Sequence, residues 1–479
     1  MTDSTERRFL SSTLAAGGSQ LGRTALRLVA DLTLARLVLP SDHGLFALAW
    51  STVVIAGFVR DQGLPYELVR DPKERFGSVL LWEIGLGSIV TLGLMATSPW
   101  FGALDAELPA VLRVLSLWVL IEGLGVVPRV YFERELQVNR LVGPEIGRGF
   151  VLAVTSITLA VLGYGVWSFV IGELVAAAGY TLVLWLRAWG HIPIRLQARP
   201  LPKLLHRSFL LFVIALLANS IPFVGRYIIQ IVDGTFMVGQ FEKAYLWALR
   251  GQVLVVPALV RAIYPALVTY RARHKRFVGA FRLGTIAILS LEVLVGYFLF
   301  FNAEIVVLDI LLGHNWEQAV QLVKILCFLP LVDPFTRLGG EMLKAYREDR
   351  LWLVVVVLNI VSLIGFGWVL AHKFGSAGMA WAYYLMLGHW VMTWRVYKIC
   401  GPQFWHLLRD LLFTYLLPLP FFGLVAWLLP AASWSRFGAS IAAAGVVAAI
   451  MAARISGPFR EFFFSPEDVH QSSTAKADR

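Results

Sequence analysis

The sequence contains little charge and almost no cysteine. Only 15% of its 479 residues are Asp, Glu, Lys or Arg, whereas 58% are hydrophobic. A soluble globular protein has about 25% charged and about 45–50% apolar residues, so this composition excludes the soluble class. The two cysteines, Cys327 and Cys400, are too few for a disulfide framework or a zinc site.

The motifs of common enzymes are also missing. The sequence has no P-loop of the form GxxxxGK[ST] and no HExxH, and its nine histidines are scattered. Of these, His389 lies deep inside a predicted span, where packing is the more frequent role. We therefore expect no enzyme activity, no metal and no cofactor. After MTDSTERRF there is no compact apolar core with a cleavage site, so we expect a retained first helix.

What the sequence does contain is a series of apolar runs long enough to cross a bilayer. Because about 20 helical residues span about 30 Å of hydrocarbon, we predict an all-α polytopic membrane protein with about fourteen transmembrane helices. The predicted spans are 9–37, 43–63, 75–98, 108–129, 140–162, 165–188, 207–231, 240–270, 277–301, 316–344, 351–371, 376–399, 407–429 and 434–453. Prolines interrupt the eighth span (Pro257, Pro265) and the tenth (Pro330, Pro334).

Loop charges predict the orientation of these spans. With a cytoplasmic N-terminus, the cytoplasmic segments hold 25 Lys and Arg residues, and the outer loops hold 3, Lys243, Lys373 and Arg436. Cytoplasmic loops of membrane proteins carry such an excess. We therefore expect both termini in the cytoplasm, and the net charge of +11 indicates topology rather than nucleic-acid binding.

A segment rich in proline and basic residues divides the spans into two groups of six. This predicts an N-terminal lobe (1–190), a cytoplasmic linker (191–206), a C-terminal lobe (207–400), two further helices (401–454) and a cytoplasmic tail (455–479). GYGVWSFVIGEL (163–174) and GSAGMAWAYYLM (375–386) are weakly similar. Such similarity is typical of the internal repeats of transporters.

Charged residues inside the predicted spans indicate where a site lies. An arginine at the bilayer centre costs about 2.5–3.5 kcal/mol, so it faces water or a partner. Arg23, Arg27 and Asp31 follow one another at intervals of four on one face of the first span. Arg250 and Arg261 share a face of the eighth span, because eleven residues complete nearly three turns.

Other polar residues extend this pattern. Asn219 and Arg226 lie seven residues apart on the seventh span. An excess of buried arginine favours an anionic substrate, because guanidinium binds phosphate oxygens through paired hydrogen bonds and stays charged. A cation transporter would instead require a dominant intramembrane acid, for which Asp31 and Asp61 are the candidates.

Structural interpretations of these charges stay open. Arg27 and Asp31 can form a pair within one helix. For the ladder of Asp333, Arg337 and Glu341 in the tenth span, such internal pairing is the favoured interpretation. The remaining interior charges include two expected interhelical hydrogen-bond partners, Glu122 and Glu173, and three arginines that can snorkel to a membrane face, Arg36, Arg60 and Arg113.

Five segments in register resemble one family of transporters. They are LARLVLPSDHGLFALAW (34–50), VRDQGLPYELVRDP (59–72), RVYFERELQVNRL (129–141), GYGVWSFVIGELV (163–175) and QIVDGTFMVGQFEKAYLWALRGQVLVVPALVRAIYPAL (230–267). They resemble the WzxC-like branch of oligosaccharide flippases, in the multidrug/oligosaccharidyl-lipid/polysaccharide exporter (MOP) superfamily. The resemblance implies two six-helix lobes in a V shape with two additional helices.

The resemblance also implies a function. Such flippases move an undecaprenyl-diphosphate-linked oligosaccharide across the bacterial inner membrane for polysaccharide synthesis, by alternating access, and a polymerase and chain-length proteins are then expected partners. Arginines that line a central cavity are thought to meet the diphosphate, and the matching positions here are Arg23, Arg27, Arg60, Arg250 and Arg261. Asp31, Asp61, Asp333 and Glu341 are the candidates for counter-charge or ion coupling. The alternatives are a cation-coupled multidrug antiporter of the same superfamily and a non-transporting scaffold for polysaccharide assembly.

Overall fold

The fold is built almost entirely from helices. The computed structural model describes residues 26–70, 76–135, 137–192, 202–249, 259–260, 263–271, 273–332 and 334–463. No β-strand occurs within these ranges, so the predicted all-α class is confirmed. The helices are α1 (26–37), α2 (Pro40–Asp61), α3 (Leu64–Arg70), α4 (Phe76–Thr97), α5 (Leu108–Leu115), α6 (Leu117–Arg134), α7 (Asn139–Val161), α8 (Trp167–Ala188), α9 (Pro202–Ala248), α10 (263–270), α11 (His274–Glu304), α12 (Glu317–Leu326), α13 (Leu329–Val332), α14 (Pro334–Tyr346), α15 (Asp349–Ala382), α16 (Gly388–Cys400), α17 (Gln403–Leu416), α18 (Pro418–Leu428) and α19 (Trp434–Phe463).

Many of these helices are long and apolar enough to cross a membrane. Within the described residues, ten helical stretches meet that requirement. The longest, Asp349–Cys400, has 52 residues, which is enough for two crossings of about 20 residues each. The chain is therefore a multi-pass membrane protein. The predicted number of fourteen spans stays a prediction, since parts of the first and eighth predicted spans lie outside the described residues.

Long helices are broken at residues with unusual backbone geometry. Gly234 in α9 has φ 82° and Gly375 in α15 has φ 61°, a conformation that glycine adopts without a steric penalty. The break at Gly375 lies between the predicted eleventh and twelfth spans. The predicted interruption of the tenth span at Pro330 and Pro334 matches the separation of α12, α13 and α14. Asn302 leaves helical geometry near the end of α11, just before a π-helix at Ile305–Leu311.

The helices form two compact units, Met1–Glu242 and Lys243–Arg479. In the first unit, α8 packs against α6 and α7, and α6 also packs against α4. The apolar core of this unit includes Val79, Val127 and Leu184, all fully buried. The unit boundary lies in α9, whereas the predicted linker is 191–206, of which 193–201 lie outside the described residues. The predicted lobe limits stay a prediction.

In the second unit, α11 is central. It packs against α12, α14, α17, α18 and α19, and its buried Phe281 belongs to the same apolar cluster as Phe422 and Val447. A charged contact adds to this packing, because buried Asp410 on α17 accepts hydrogen bonds from Arg282 and Arg454. The distances from its carboxylate are 2.7 Å to Arg282 Nε and 2.8 Å to Arg454 Nη2. The two additional helices predicted after residue 400 thus pack as an integral part of this unit.

Candidate functional site

A charged pair joins α1 to α8 at a predicted site residue. Arg27 Nη2 lies 3.4 Å from Glu173 Oε1, and the Arg27 side chain is 56% exposed whereas that of Glu173 is 7% exposed. This distance is longer than the usual 2.7–3.2 Å of a good hydrogen bond. Because a guanidinium carries five N–H donors, this single long contact leaves Arg27 with donors for another acceptor.

This pair continues into a chain of alternating charges. Arg148 on α7 forms an ion pair with Glu122 on α6, and its Nη2 lies 4.0 Å from Glu173 Oε2. Its guanidinium also lies over the Tyr180 ring, 5.4 Å from the centroid. We call Arg27, Glu173, Arg148 and Glu122 the charge chain. The predicted role of Glu122 and Glu173 as interhelical partners is confirmed, whereas Arg148 was not among the predicted site residues.

Arg60 lies in a different environment. It is 3% exposed, and its Nε is 2.8 Å from Asp61 Oδ1 and 2.9 Å from Glu83 Oε2. Its Nη1 donates to the backbone carbonyl of Val119. The predicted snorkelling of Arg60 is wrong, because protein groups enclose its charged head. Arg60 joins α2, α4 and α6, and its predicted contact with substrate stays a prediction.

Arg226 is also enclosed by partners. Its Nε lies 2.6 Å from Glu242 Oε2 and its Nη1 lies 2.7 Å from Ser51 Oγ, so it joins both ends of the broken helix α9 to α2. Asn219, two turns earlier, is exposed and donates 2.8 Å to the Ala215 carbonyl of its own helix. These two predicted site residues therefore have different surroundings.

Two glycines allow α2 to cross closely over α9 beyond the break at Gly234. A Cβ at Gly44 would overlap the Thr235 carbonyl oxygen, and a Cβ at Gly239 would overlap that of Pro40. We call this contact the glycine crossing. Beside it, Thr235 Oγ1 donates a hydrogen bond of 2.6 Å to Asp105 Oδ2, so the turn at 104–105 also contacts this part of α9. By the predicted orientation, all three segments lie on the outer side of the membrane.

The remaining candidates fall into two groups. Among the acids, Asp31 is half-buried one turn after Arg27, Asp61 binds Arg60, and Glu341 Oε1 lies 2.8 Å from Lys344 Nζ in the same helix. Glu341 thus forms an intrahelical pair, as favoured for its ladder, although with Lys344. Four candidates lie outside the described residues: Arg23, Arg250, Arg261 and Asp333. The predicted arginine cluster of the first and eighth spans is therefore represented in the structure by Arg27.

Comparison with solved structures identifies the fold. The chain is similar to the lipid II flippase MurJ in an inward closed conformation, with a TM-score of 0.74 and 14% identity over 93% of this chain and 99% of that chain. It is also similar to a multidrug resistance MATE family transporter of the MOP superfamily in an inward-facing conformation, with a TM-score of 0.61 and 16% identity over 81% of this chain and 96% of that chain. A MOP superfamily transporter from Pyrococcus furiosus gives a TM-score of 0.53 and 16% identity over 84% of this chain and 95% of that chain.

Comparison with protein families supplies the assignment that these low identities do not. A search of curated protein sequences finds no match. The family model described as "Polysaccharide biosynthesis protein" matches residues 33–321, which is well over half of the chain. The chain thus belongs to the polysaccharide biosynthesis protein family, with the fold of the MOP superfamily transporters.

Proposed function

We propose that this protein is a flippase that moves an undecaprenyl-diphosphate-linked oligosaccharide from the cytoplasmic to the periplasmic leaflet of a bacterial inner membrane. The family and the fold support a transporter of lipid-linked or other membrane substrates. The exposed side chain of Arg27 is the observation that favours an anionic substrate. This arginine lies in the predicted first membrane span, yet more than half of its side chain is exposed and its ion pair with Glu173 is long.

The charge chain supplies a means of binding and releasing a diphosphate. Phosphate oxygens accept paired hydrogen bonds from guanidinium, so a diphosphate competes well with the 3.4 Å contact to Glu173. When Arg27 turns to the substrate, Arg148 remains close to Glu173 and limits the cost of its buried negative charge. When the substrate leaves, Glu173 takes Arg27 back. Glu173 therefore occupies the place of the phosphate in the empty protein.

Alternating access also requires contacts that hold one side closed. The glycine crossing and the Arg226–Glu242 pair hold segments of the first unit together on the predicted outer side, and we infer that they serve as such contacts. A ligand shifts such an equilibrium only through differential affinity for the two states. We propose that diphosphate binding at Arg27 favours release of these contacts, after which the headgroup reaches the periplasm and the polymerase and chain-length proteins.

Substitution of Arg27 tests this proposal. In cells that depend on the protein for polymer export, and in vesicles carrying a fluorescent diphosphate-linked lipid, Arg27→Ala should lower the transport rate about tenfold or more, since a hydrogen bond to a charged group is lost. Arg27→Lys should recover part of the rate, because ammonium keeps the charge without the planar fork. Glu173→Gln should bind the lipid more tightly, because Arg27 loses its internal competitor.

Arg36→Ala is the matched control for these variants. Arg36 is exposed on α1 and lies nine residues after Arg27, on the opposite face of the helix. It should transport at the normal rate. Equal activity of Arg27→Ala and Arg36→Ala would contradict the role of Arg27. Export of organic cations without lipid transport would favour the antiporter, and normal polymer assembly without transport in vesicles would favour the scaffold.

A further inference from the structure

A cavity lies at the end of α11 in the second unit, remote in sequence from every residue of the charge chain. Its volume is about 260 Å³, and its walls come from the break in α11, from α12 and from the start of α19. Pockets for drug-sized ligands measure about 300–1,000 Å³. The size of this cavity therefore suits a small headgroup.

Charged side chains line the cavity with a surplus of positive charge. Lys324 Nζ lies 2.9 Å from Glu304 Oε1, so these two charges balance each other. Arg436 adds a second cation, and its guanidinium lies over the Phe301 ring, 5.6 Å from the centroid. An anion would meet both cations, and the three N–H donors of the lysine allow it to keep Glu304 at the same time.

Two polar atoms of the residues that line the cavity have unmet hydrogen-bonding capacity. Among the described residues, Arg436 Nε and Asn302 Oδ1 are buried and have no hydrogen-bond partner. Asn302 as a whole is 3% exposed, and its Nδ2 donates 2.9 Å to the Phe298 carbonyl. Buried polar groups are nearly always paired, so each such group requires an explanation. Here a ligand with an acceptor and a donor would satisfy both atoms once the two side chains turn toward the cavity.

The backbone around the cavity is irregular at two positions. Asn302 has φ −123° and ψ 16° inside α11, and the π-helix that follows adds Ile305 to the cavity wall. Ala432, in the turn before α19, has φ 54°, which is rare for a residue with a Cβ. Irregular helices and strained backbone are concentrated at functional sites. Both irregularities occur in residues that line the cavity.

Aromatic side chains place the cavity at the depth of a membrane interface. Trp427 and Trp434, on either side of the turn that contributes Ala431 and Ala432, are 81% and 61% exposed. Exposed tryptophans of membrane proteins are enriched at the level of the lipid headgroups. By the predicted orientation this turn lies on the outer side. A headgroup in the cavity could therefore keep its acyl chains in the outer leaflet.

We propose that this cavity binds the phosphodiester headgroup of an anionic phospholipid that carries a hydroxyl, of which phosphatidylglycerol is the test case. Arg436 and Lys324 donate hydrogen bonds to the phosphate oxygens, and Asn302 accepts one from the headgroup hydroxyl. The site is separate from the one proposed for transport. Its ligand is a resident lipid that joins α11, α12 and α19.

Lipid binding to the purified full-length protein tests the site. Native mass spectrometry would follow added phosphatidylglycerol or phosphatidylcholine, with glycerol 3-phosphate as a soluble competitor. We expect Arg436→Gln and Lys324→Gln each to weaken phosphatidylglycerol binding about tenfold, since each removes a charge-assisted hydrogen bond. Phosphatidylcholine, which lacks the hydroxyl and the net charge, should bind weakly to every variant.

Lys373→Gln is the matched control, because Lys373 is exposed on the same predicted face and lies outside the cavity wall. It should bind phosphatidylglycerol normally. Equal loss of binding in Lys373→Gln and Arg436→Gln would overturn the site, as would equal binding of the two lipids. If glycerol 3-phosphate displaced phosphatidylglycerol at a concentration similar to that of the lipid, the ligand would be a free phosphate ester, and the proposal of a bound lipid would be overturned. The measurement involves no transport, so it stands apart from the flippase proposal.

Discussion

At the scale of single residues, exposure separates two kinds of intramembrane arginine. Arg60 and Arg226 are buried with their carboxylate partners, whereas Arg27 is largely exposed and its contact with Glu173 is long. In the sequence these three residues look alike, because each is an arginine inside an apolar run. Their difference depends on partners from other helices, which a helical periodicity does not identify.

Removing the charge of Arg60 should destabilise the protein strongly. Arg60→Met leaves Glu83, which is 0% exposed, without its cation. Breaking a buried pair by removing one partner costs about 3–5 kcal/mol. The expected result is a large fall in the midpoint of thermal unfolding, measured on purified protein in detergent.

A double variant distinguishes this explanation from simple loss of packing. Arg60→Met combined with Glu83→Leu should regain part of the lost stability, since the fully buried Glu83 charge is removed and the remaining carboxylate, Asp61, is 30% exposed. Arg113→Ala should change the midpoint of unfolding little. Arg113 is exposed, and the contact that it loses is a hydrogen bond from its Nε to Ser98 rather than a buried ion pair. If Arg60→Met were as stable as Arg113→Ala, the contact with Glu83 would contribute nothing to folding.

At the scale of helices, the sequence predicted the long apolar helical stretches better than the geometry of their breaks and their contacts with one another. Prolines indicated the interruption around α13, because proline lacks an N–H and clashes with the preceding turn. The breaks at Gly234 and Asn302 fall in the gaps between predicted spans, but no residue there specified the geometry of the break. Glycine and asparagine also occur within regular membrane helices, and only the tertiary contacts decide which of them mark a break.

The charge chain shows the same limit for the site. Glu122 and Glu173 were expected to bind other helices, since acids beside glycines inside spans need partners. Arg148 was one of many interior charges, and nothing in its local sequence identified Glu122, 26 residues earlier, as its partner. Helical periodicity predicts the face of a helix on which a residue lies, but only tertiary packing determines which other helix that face contacts.

Alanine at the glycine crossing should destabilise the protein, whereas alanine in place of glycine elsewhere in a helix usually stabilises it. Gly239→Ala places a Cβ where the Pro40 carbonyl oxygen lies, so α2 and α9 must separate. Because this close packing is lost, the variant should unfold at lower temperature, and it should transport poorly if the contact holds the outer side closed as proposed. Gly85→Ala on α4 is the matched control, since no atom lies within 4 Å of its added Cβ.

The control variant Gly85→Ala has an expected effect on the unfolding temperature as well. Alanine in place of glycine in a helix interior stabilises by about 0.5–1 kcal/mol when space allows. Gly85→Ala should therefore unfold at the same or a higher temperature, while Gly239→Ala unfolds lower. Two variants that change the unfolding temperature equally would show that the crossing is looser than its geometry indicates.

At the scale of the whole molecule, the composition and the loop charges predicted a basic, multi-pass, all-α protein, and the five family-like segments predicted the MOP type. The family match and the structural similarity to a flippase and to transporters agree with that prediction. The position of the last helices was not predictable in this way. They appeared additional because they follow two groups of six, yet Asp410 and the apolar residues around Phe422 make them part of the core of the second unit.

The predicted orientation can be tested along α15. Its regular part runs from Asp349 to the break at Gly375, and 26 residues at 1.5 Å per residue give about 39 Å, more than the hydrocarbon thickness of about 30 Å. Arg350 and Lys373 are exposed near the two ends of this segment. Because basic residues concentrate on the cytoplasmic side, Arg350→Cys should be shielded from an impermeant thiol reagent in intact cells, whereas Lys373→Cys should react.

The chain itself provides a low background for this measurement. Its cysteines, Cys327 and Cys400, are both buried, so the unsubstituted protein should label weakly. Opening the cells should expose Arg350→Cys to the reagent while the labelling of Lys373→Cys stays the same, which controls for a cysteine that is merely buried. Labelling of Arg350→Cys but not Lys373→Cys in intact cells would reverse the topology. The glycine crossing would then lie on the cytoplasmic side, and the direction of transport proposed here would have to be reversed with it.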